Sequence, residues 1–308
     1  MGWHVDLILH HFDPSPFAEK VRLALGLKGL AWQSVEIPMV MPKPDLTELT
    51  GGYRKTPVLQ IGADIYCDTR RIALELERRS PRPSLFPSGS EGLCLALAQW
   101  SDVSFFRPGA ALSMGTNEAL PEDILRDRQA FFSFIDFARL DVELPHYLAE
   151  FRAQLALLDR MLADSRDFLL GAEPSWADIL ASFPVWMGRG NIHGGDALVA
   201  DFPHLPAWEE RVLALGHGSR SELSAADALA VAANISPSGE SRVALYNPEG
   251  LSAGQPVQVI PDDYGAVPVA GTLHGLSDTE ISIRRRGDRV GDVLVHFPRA
   301  GYRLENAS

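Results

Sequence analysis

Cysteine is scarce in this chain: two among 308 residues, Cys67 and Cys94, with no C-x-x-C pair. That excludes a disulfide scaffold and offers no thiolate cage for a metal, so no metal is expected. It also favours a reducing compartment, and a cytoplasmic location is the expectation. Long apolar runs are missing, so no segment reads as a membrane span, and the first residues carry no signal-peptide pattern. Basic charge is short as well. Lys and Arg number 28 against 40 Asp and Glu, a net charge of -12. Such a surface is repelled by nucleic acid and by anionic lipid, which removes both as expected partners. Repeats and low-complexity segments are absent. The remainder is the composition of a soluble globular protein, 46% hydrophobic and 22% charged, with length for two or three domains.

The most informative stretch is Asp13-Pro-Ser-Pro-Phe-Ala-Glu-Lys-Val-Arg-Leu-Ala-Leu25. It follows an apolar run, residues 5–9, that reads as a strand. Ser15 suits an N-cap and Pro16 a first helical position, where a missing amide hydrogen costs nothing. Val21, Leu23, Ala24 and Leu25 give a helix an apolar face over residues 15–27. A strand thus delivers a hydroxyl to a helix N-terminus, a place that favours an anion. A plain helix cap accounts for the same residues.

Farther on, Trp32–Ile37 alternates and predicts a second strand, parallel to the first through the crossover helix. Residues 38–53 hold three prolines and two adjacent glycines and predict a loop, with one helical turn near Leu46–Leu49. A strand starting at Pro57 runs to Ile61, a turn at Gly62-Ala-Asp64 follows, and Ile65-Tyr66 begins a short return strand. Asp68-Thr69 opens a helix to Arg79. The order is βαβ, then ββα.

That order, with Ser15-Pro-Phe-Ala-Glu-Lys-Val-Arg22, Lys55-Thr-Pro-Val-Leu59 and Asp68-Thr69, resembles the thioredoxin-like domain of the glutathione S-transferase superfamily over residues 5–80. The first motif is closest to omega-like and bacterial members, in which its leading residue is often Cys. The helical patterns from Glu91 to about Gly216 resemble the family's all-helical domain. Within them Pro174-Ser-Trp-Ala-Asp178 is a capping arrangement and Asp201–Val212 looks like a closing helix. The implied fold is a thioredoxin-like α/β domain over 1–82 and an all-α domain over 90–233. Residues 217–235 hold one amphipathic piece, Leu223–Ala233. From residue 236 to 308 the pattern changes to four alternating runs, 257–260, 267–273, 280–285 and 290–297. These predict a small extra antiparallel β module, barrel-like and of unassigned role.

The resemblance implies glutathione as co-substrate. A free thiol with a pKa near ~8.5 is mostly protonated at neutral pH, so a hydroxyl donating to sulfur at a helix N-terminus would activate it. Ser15 takes that role, with Phe17 beside it in the motif. Thr56, ahead of an expected cis Pro57, would pair with the cysteinyl peptide. Asp68 and Thr69 would take the γ-glutamyl ammonium and carboxylate. Lys43, Arg54 and Lys55 are candidates for the glycyl carboxylate. Trp100, Phe105 and Phe106 are candidates for lining an apolar second-substrate pocket, or for simple core. His10 and His11 are adjacent on a strand and point to opposite faces, which argues against a joint base or metal site. Cys67 is expected to pack inward. The implied activity is thiol attack on a small apolar electrophile by a homodimer. The competing readings are a non-catalytic glutathione-binding protein that recruits a partner through the β module, and a glutathione-dependent reductase using Cys67.

Overall fold

The computed structural model describes residues 6–117, 120–164 and 166–307. The chain begins with β1 (Ile8–His11), α1 (Pro16–Leu27), β2 (Ala31–Glu36), α2 (Pro44–Thr50), β3 (Val58–Ile61), β4 (Asp64–Cys67) and α3 (Thr69–Arg79). Residue 5 of the expected first strand lies outside the described residues. Helices follow: α4 (Glu91–Gln99), a π-helical turn at Trp100–Phe105, α5 (Phe106–Thr116), α6 (Glu122–Phe131), α7 (Leu140–Met161), α8 (Trp176–Asn191), α9 (Gly195–Ala200) and α10 (Leu205–Leu213). The chain closes with β5 (Ser219–Glu222), α11 (Ala225–Asn234), β6 (Arg242–Val243), β7 (Pro256–Pro261), β8 (Val269–Leu276), β9 (Glu280–Gly287), β10 (Gly291–Pro298) and β11 (Tyr302–Asn306).

These elements fall into two compact units. One holds the residues up to Ala18, Ala31–Glu75 and everything from Ser219 onward; the other holds Glu19–Leu30 and Leu76–Gly218. In the first unit a single sheet runs β11-β7-β8-β9-β10-β4-β3-β1-β2-β5, with β6 paired to β8. The four alternating runs do form strands that are mutually antiparallel, but they do not close into a barrel. Instead β10 lies parallel to β4, with Leu294 opposite Asp64 and His296 opposite Tyr66. The reason is edge chemistry. Strand β4 is buried along its whole length, and its outer N–H and C=O groups need partners, which β10 supplies. One apolar core then runs under both halves of the sheet and includes Val35, Tyr53, Ile65, Cys67, Ile283, Val295, Phe297 and Tyr302.

At the opposite edge β5 adds to β2 in parallel register, Ala31 opposite Ser219. Its sequence, Ser-Arg-Ser-Glu, is exposed throughout and has no alternation. Backbone pairing with β2 makes it a strand, with Arg220 bonding Asp13 at 2.8 Å and lying over the Trp32 ring, and none of this shows as hydrophobic alternation.

In the helical unit Asp178 is the fixed point. Its carboxylate accepts from Leu169 N–H (2.7 Å), Ser175 N–H (3.0 Å), Ser175 Oγ (2.7 Å) and Trp208 Nε1 (3.0 Å). This is the expected capping arrangement of α8, extended to reach α10.

Candidate functional site

Strand registry gathers the motif residues at one end of the sheet. His10 of β1 faces Val58 of β3, and Val58 faces Cys67 of β4. The chain leaving β1, the Thr56–Pro57 entry to β3 and the Asp68–Thr69 exit from β4 therefore lie side by side. Both α1 and α3 start at this end, so two helix N-termini present backbone N–H groups here.

Ser15 is 3% exposed and its Oγ accepts the Ala18 N–H at 3.2 Å. It is the N-cap of α1. A hydroxyl has one donor and two acceptor sites, so a capping serine keeps its proton to give. Phe17 follows on the first turn and is half-buried. The Thr56–Pro57 bond is cis. Lys43 is buried at the start of α2; its Nζ donates to Thr56 Oγ1 at 3.1 Å and lies 5.4 Å from the Phe12 ring centre.

Asp68 has φ of 77°, a left-handed conformation that Asp tolerates better than most residues. The turn aims its carboxylate back over the start of α3. Arg70 grips it with its backbone N–H (2.9 Å), Nε (3.2 Å) and Nη2 (2.9 Å). Burial alone would raise the Asp68 carboxyl. The charge and hydrogen bonds of Arg70, with Lys55 adding to them, reverse that and hold it well below the usual carboxylate range. Thr69 beside it is 4% exposed.

The C-terminal strands supply groups that no motif announces. Tyr302 Oη donates to Asp68 Oδ2 at 3.1 Å and lies 3.0 Å from Tyr53 Oη. Lys55 pairs with Asp263 and sits 4.4 Å from the Tyr264 ring centre. These partners lie some two hundred residues from the motifs and are set in place by the β4–β10 pairing.

Other candidates have partners within the protein. His10 bonds Gln60 Oε1 at 2.8 Å and His11 bonds Ser34 Oγ at 3.0 Å, toward β3 and β2 respectively. Burial pushes the His10 imidazole down to about 4. Cys67 is fully buried, and burial first, then the Asp68 charge, push its thiol well up. In the helical unit Phe105 and Phe106 are 0% and 3% exposed. They pack on Phe151 and on Phe132 and Phe183, respectively. Trp100 is half-buried and donates to Gln154 Oε1 at 2.8 Å. The charged residues of the first motif are structural too. Lys20, 0% exposed, pairs with Asp102 at 2.7 Å, and Arg22 with Glu19 at 2.6 Å.

A mixed sheet with a buried hydroxyl at the start of the first helix and a cis proline ahead of its third strand is the arrangement of a thioredoxin-like domain. The comparisons with known proteins agree. The model for the glutathione S-transferase N-terminal domain matches residues 9–84, and that for the C-terminal domain matches residues 134–215. The solved structure of a GST-like protein from Pseudomonas syringae is 39% identical, covers 98% of this chain and 99% of its own, and superposes with a TM-score of 0.80. A glutathione S-transferase structure from Rhodospirillum rubrum is 23% identical over 67% of this chain and 87% of its own, with a TM-score of 0.52, and shares the fold. Glutathione S-transferase U4 of Arabidopsis thaliana is 26% identical over 133 residues, which is 42% of this chain and 59% of that relative. The chain belongs to the glutathione S-transferase superfamily.

Proposed function

We propose that the protein binds glutathione along the Thr56–Pro57 edge and activates its thiol with Ser15 for attack on a small apolar electrophile. The observation that carries this is the Ser15 hydroxyl: buried at the α1 N-terminus, it accepts the Ala18 N–H at 3.2 Å and retains its own proton. Donation of that proton to sulfur, beside the positive end of the helix, favours the thiolate over the thiol. Serine itself is not the nucleophile, because the two nearby histidines are committed to Gln60 and Ser34. The backbone at Thr56 pairs with the cysteinyl peptide. Thr69 and the α3 N-terminus take the γ-glutamyl carboxylate, and Asp68 its ammonium. The protein works in the cytoplasm as a homodimer, which light scattering on the purified chain tests.

Burial of Cys67 favours this reading over a reductase. A thiol with no exposure and a raised pKa is a poor partner for disulfide exchange. The binding-only reading draws on Asp68, whose oxygens are already engaged by Arg70 and Tyr302. One assay separates them. Wild-type protein retained on glutathione resin and turning over a chlorinated aromatic acceptor supports the transferase. Ser15→Ala then keeps binding and loses about 30-fold or more of turnover at neutral pH. Binding without turnover on any electrophile favours the binder, and absence of binding overturns both.

A further inference from the structure

Asp68 has no acceptor site left. A carboxylate offers about four lone-pair positions. Oδ1 takes the Arg70 N–H (2.9 Å) and Nε (3.2 Å); Oδ2 takes Arg70 Nη2 (2.9 Å) and Tyr302 Oη (3.1 Å). An ammonium that is to bind Asp68 must therefore displace one of these donors. The three Arg70 contacts come from its own residue two positions along, and the two side-chain bonds form a charged fork. The Arg70 guanidinium also lies close against Gly301 (φ 85°), where an added Cβ would come within 2.8 Å of its Nη2. Tyr302 is the neutral donor, with the single bond to this carboxylate. It has another partner to fall back on, Tyr53 Oη at 3.0 Å.

We infer that Tyr302 is a specificity-determining residue of the thiol-peptide site, competing for Asp68 Oδ2 with the amino group of the ligand. The inference rests on the proposed glutathione reading. In the exchange the ammonium replaces the Tyr302 hydroxyl at Oδ2, and that hydroxyl turns to Tyr53; no covalent bond changes. The competition lowers the advantage of a γ-glutamyl peptide with a free amino group over one in which it is acylated. The selectivity of this site is therefore set by a strand of the C-terminal sheet extension, Tyr302–Asn306, which pairs with β7.

The test is calorimetric titration of the full chain with glutathione, N-acetylglutathione and cysteinylglycine, the last lacking the γ-glutamyl group. Tyr302→Phe removes the competing donor and keeps the buried ring. The expected result is that glutathione binds about five- to tenfold more tightly to the variant, while N-acetylglutathione and cysteinylglycine change less than about twofold. Equal weakening of all three ligands would mean a packing role and overturn the inference, as would no change in any. Hydrogen exchange on the wild type checks it without mutation: glutathione should speed exchange of the 302–306 amides and cysteinylglycine should not, and slowed exchange with glutathione would overturn it. If wild type binds neither glutathione nor cysteinylglycine, the parent reading falls and takes this inference with it. If it binds both and Tyr302→Phe matches wild type, only this inference falls.

Discussion

His296 on β10 stands with Nε2 2.9 Å from Asp64 on β4, and with Nδ1 2.6 Å from Glu280 on β9. One imidazolium thus ties the added strands to the thioredoxin-like ones. Arg71 of α3 reaches Glu280 at 2.9 Å, Tyr66 stacks on the imidazole at 4.5 Å, and Ser238 donates to the far oxygen of Asp64. Burial first, then the charges of Arg284 and His296, push the nearby His274 imidazole down. Burial lowers the His296 pKa, but the hydrogen bonds and charges of the two carboxylates outweigh it, and the net shift is upward from 6.5. A raised histidine stabilises the fold fully below its unfolded pKa and loses that contribution as pH rises through the folded one. Stability should therefore fall from about pH 6.5 upward, by up to about 1.4 kcal/mol per pH unit within the window. Urea unfolding at several pH values reads this, and His296→Gln should flatten the slope.

Ser15→Cys should change the chemistry rather than abolish it. The thiol would sit where Ser15 accepts the Ala18 N–H, at a helix N-terminus. Such positions lower cysteine pKa values to about 3.5–7.5. The variant should form a mixed disulfide with one oxidised glutathione, seen by intact mass, and wild type should not. An unmodified variant would mean that the sulfur of the ligand does not approach residue 15.

The two native thiols should be inert. Cys67 and Cys94 are both fully buried, and burial raises both pKa values. A disulfide reagent should label them at least about a hundredfold more slowly in native buffer than in denaturant. Fast native labelling of Cys67 would reopen the reductase reading.

Much of this was legible in the chain. Ser15, Thr56-Pro57 and Asp68-Thr69 occur in the order that a βαβ–ββα fold needs, and local chemistry such as a cap, a strand-opening proline or an Asp-led helix start is written in adjacent residues. Tyr302, Asp263 and the β5 edge were not legible. Their roles come from registry between distant strands, and registry depends on which edge is left unpaired, a property of the folded sheet. The barrel expectation failed for the same reason: alternation fixes which residues face inward and is silent on where the last strand docks. Lys20, Glu19 and Arg22 are charged residues of the first motif, and each is buried in an ion pair that only the folded chain brings together or encloses.

Asp178→Asn should destabilise the helical unit by about 2–4 kcal/mol, because four donors converge on a carboxylate that is 0% exposed. The substituted amide turns one acceptor oxygen into a donor facing other donors. Urea unfolding followed by helical circular dichroism measures it, and a change under about 0.5 kcal/mol would show that the knot relaxes freely.

Phe297→Ala tests whether the added strands share their stability with the parent sheet. Phe297 is fully buried on β10, with its ring 5.9 Å from Tyr53 and 5.4 Å from Tyr302. Truncating it should cost about 3–5 kcal/mol. How that loss is distributed matters more than its size. If residues 236–308 folded as a body of their own, exchange would rise in β8 and β9 and stay unchanged in β1 and β3. The common core and the β4–β10 ladder require the loss to be shared, so amides of β3 and β9 should lose protection together and by similar factors. Rapid exchange confined to β7–β11 would show that the sheet extension opens by itself, and the Asp68–Tyr302 contact would then form and break with it.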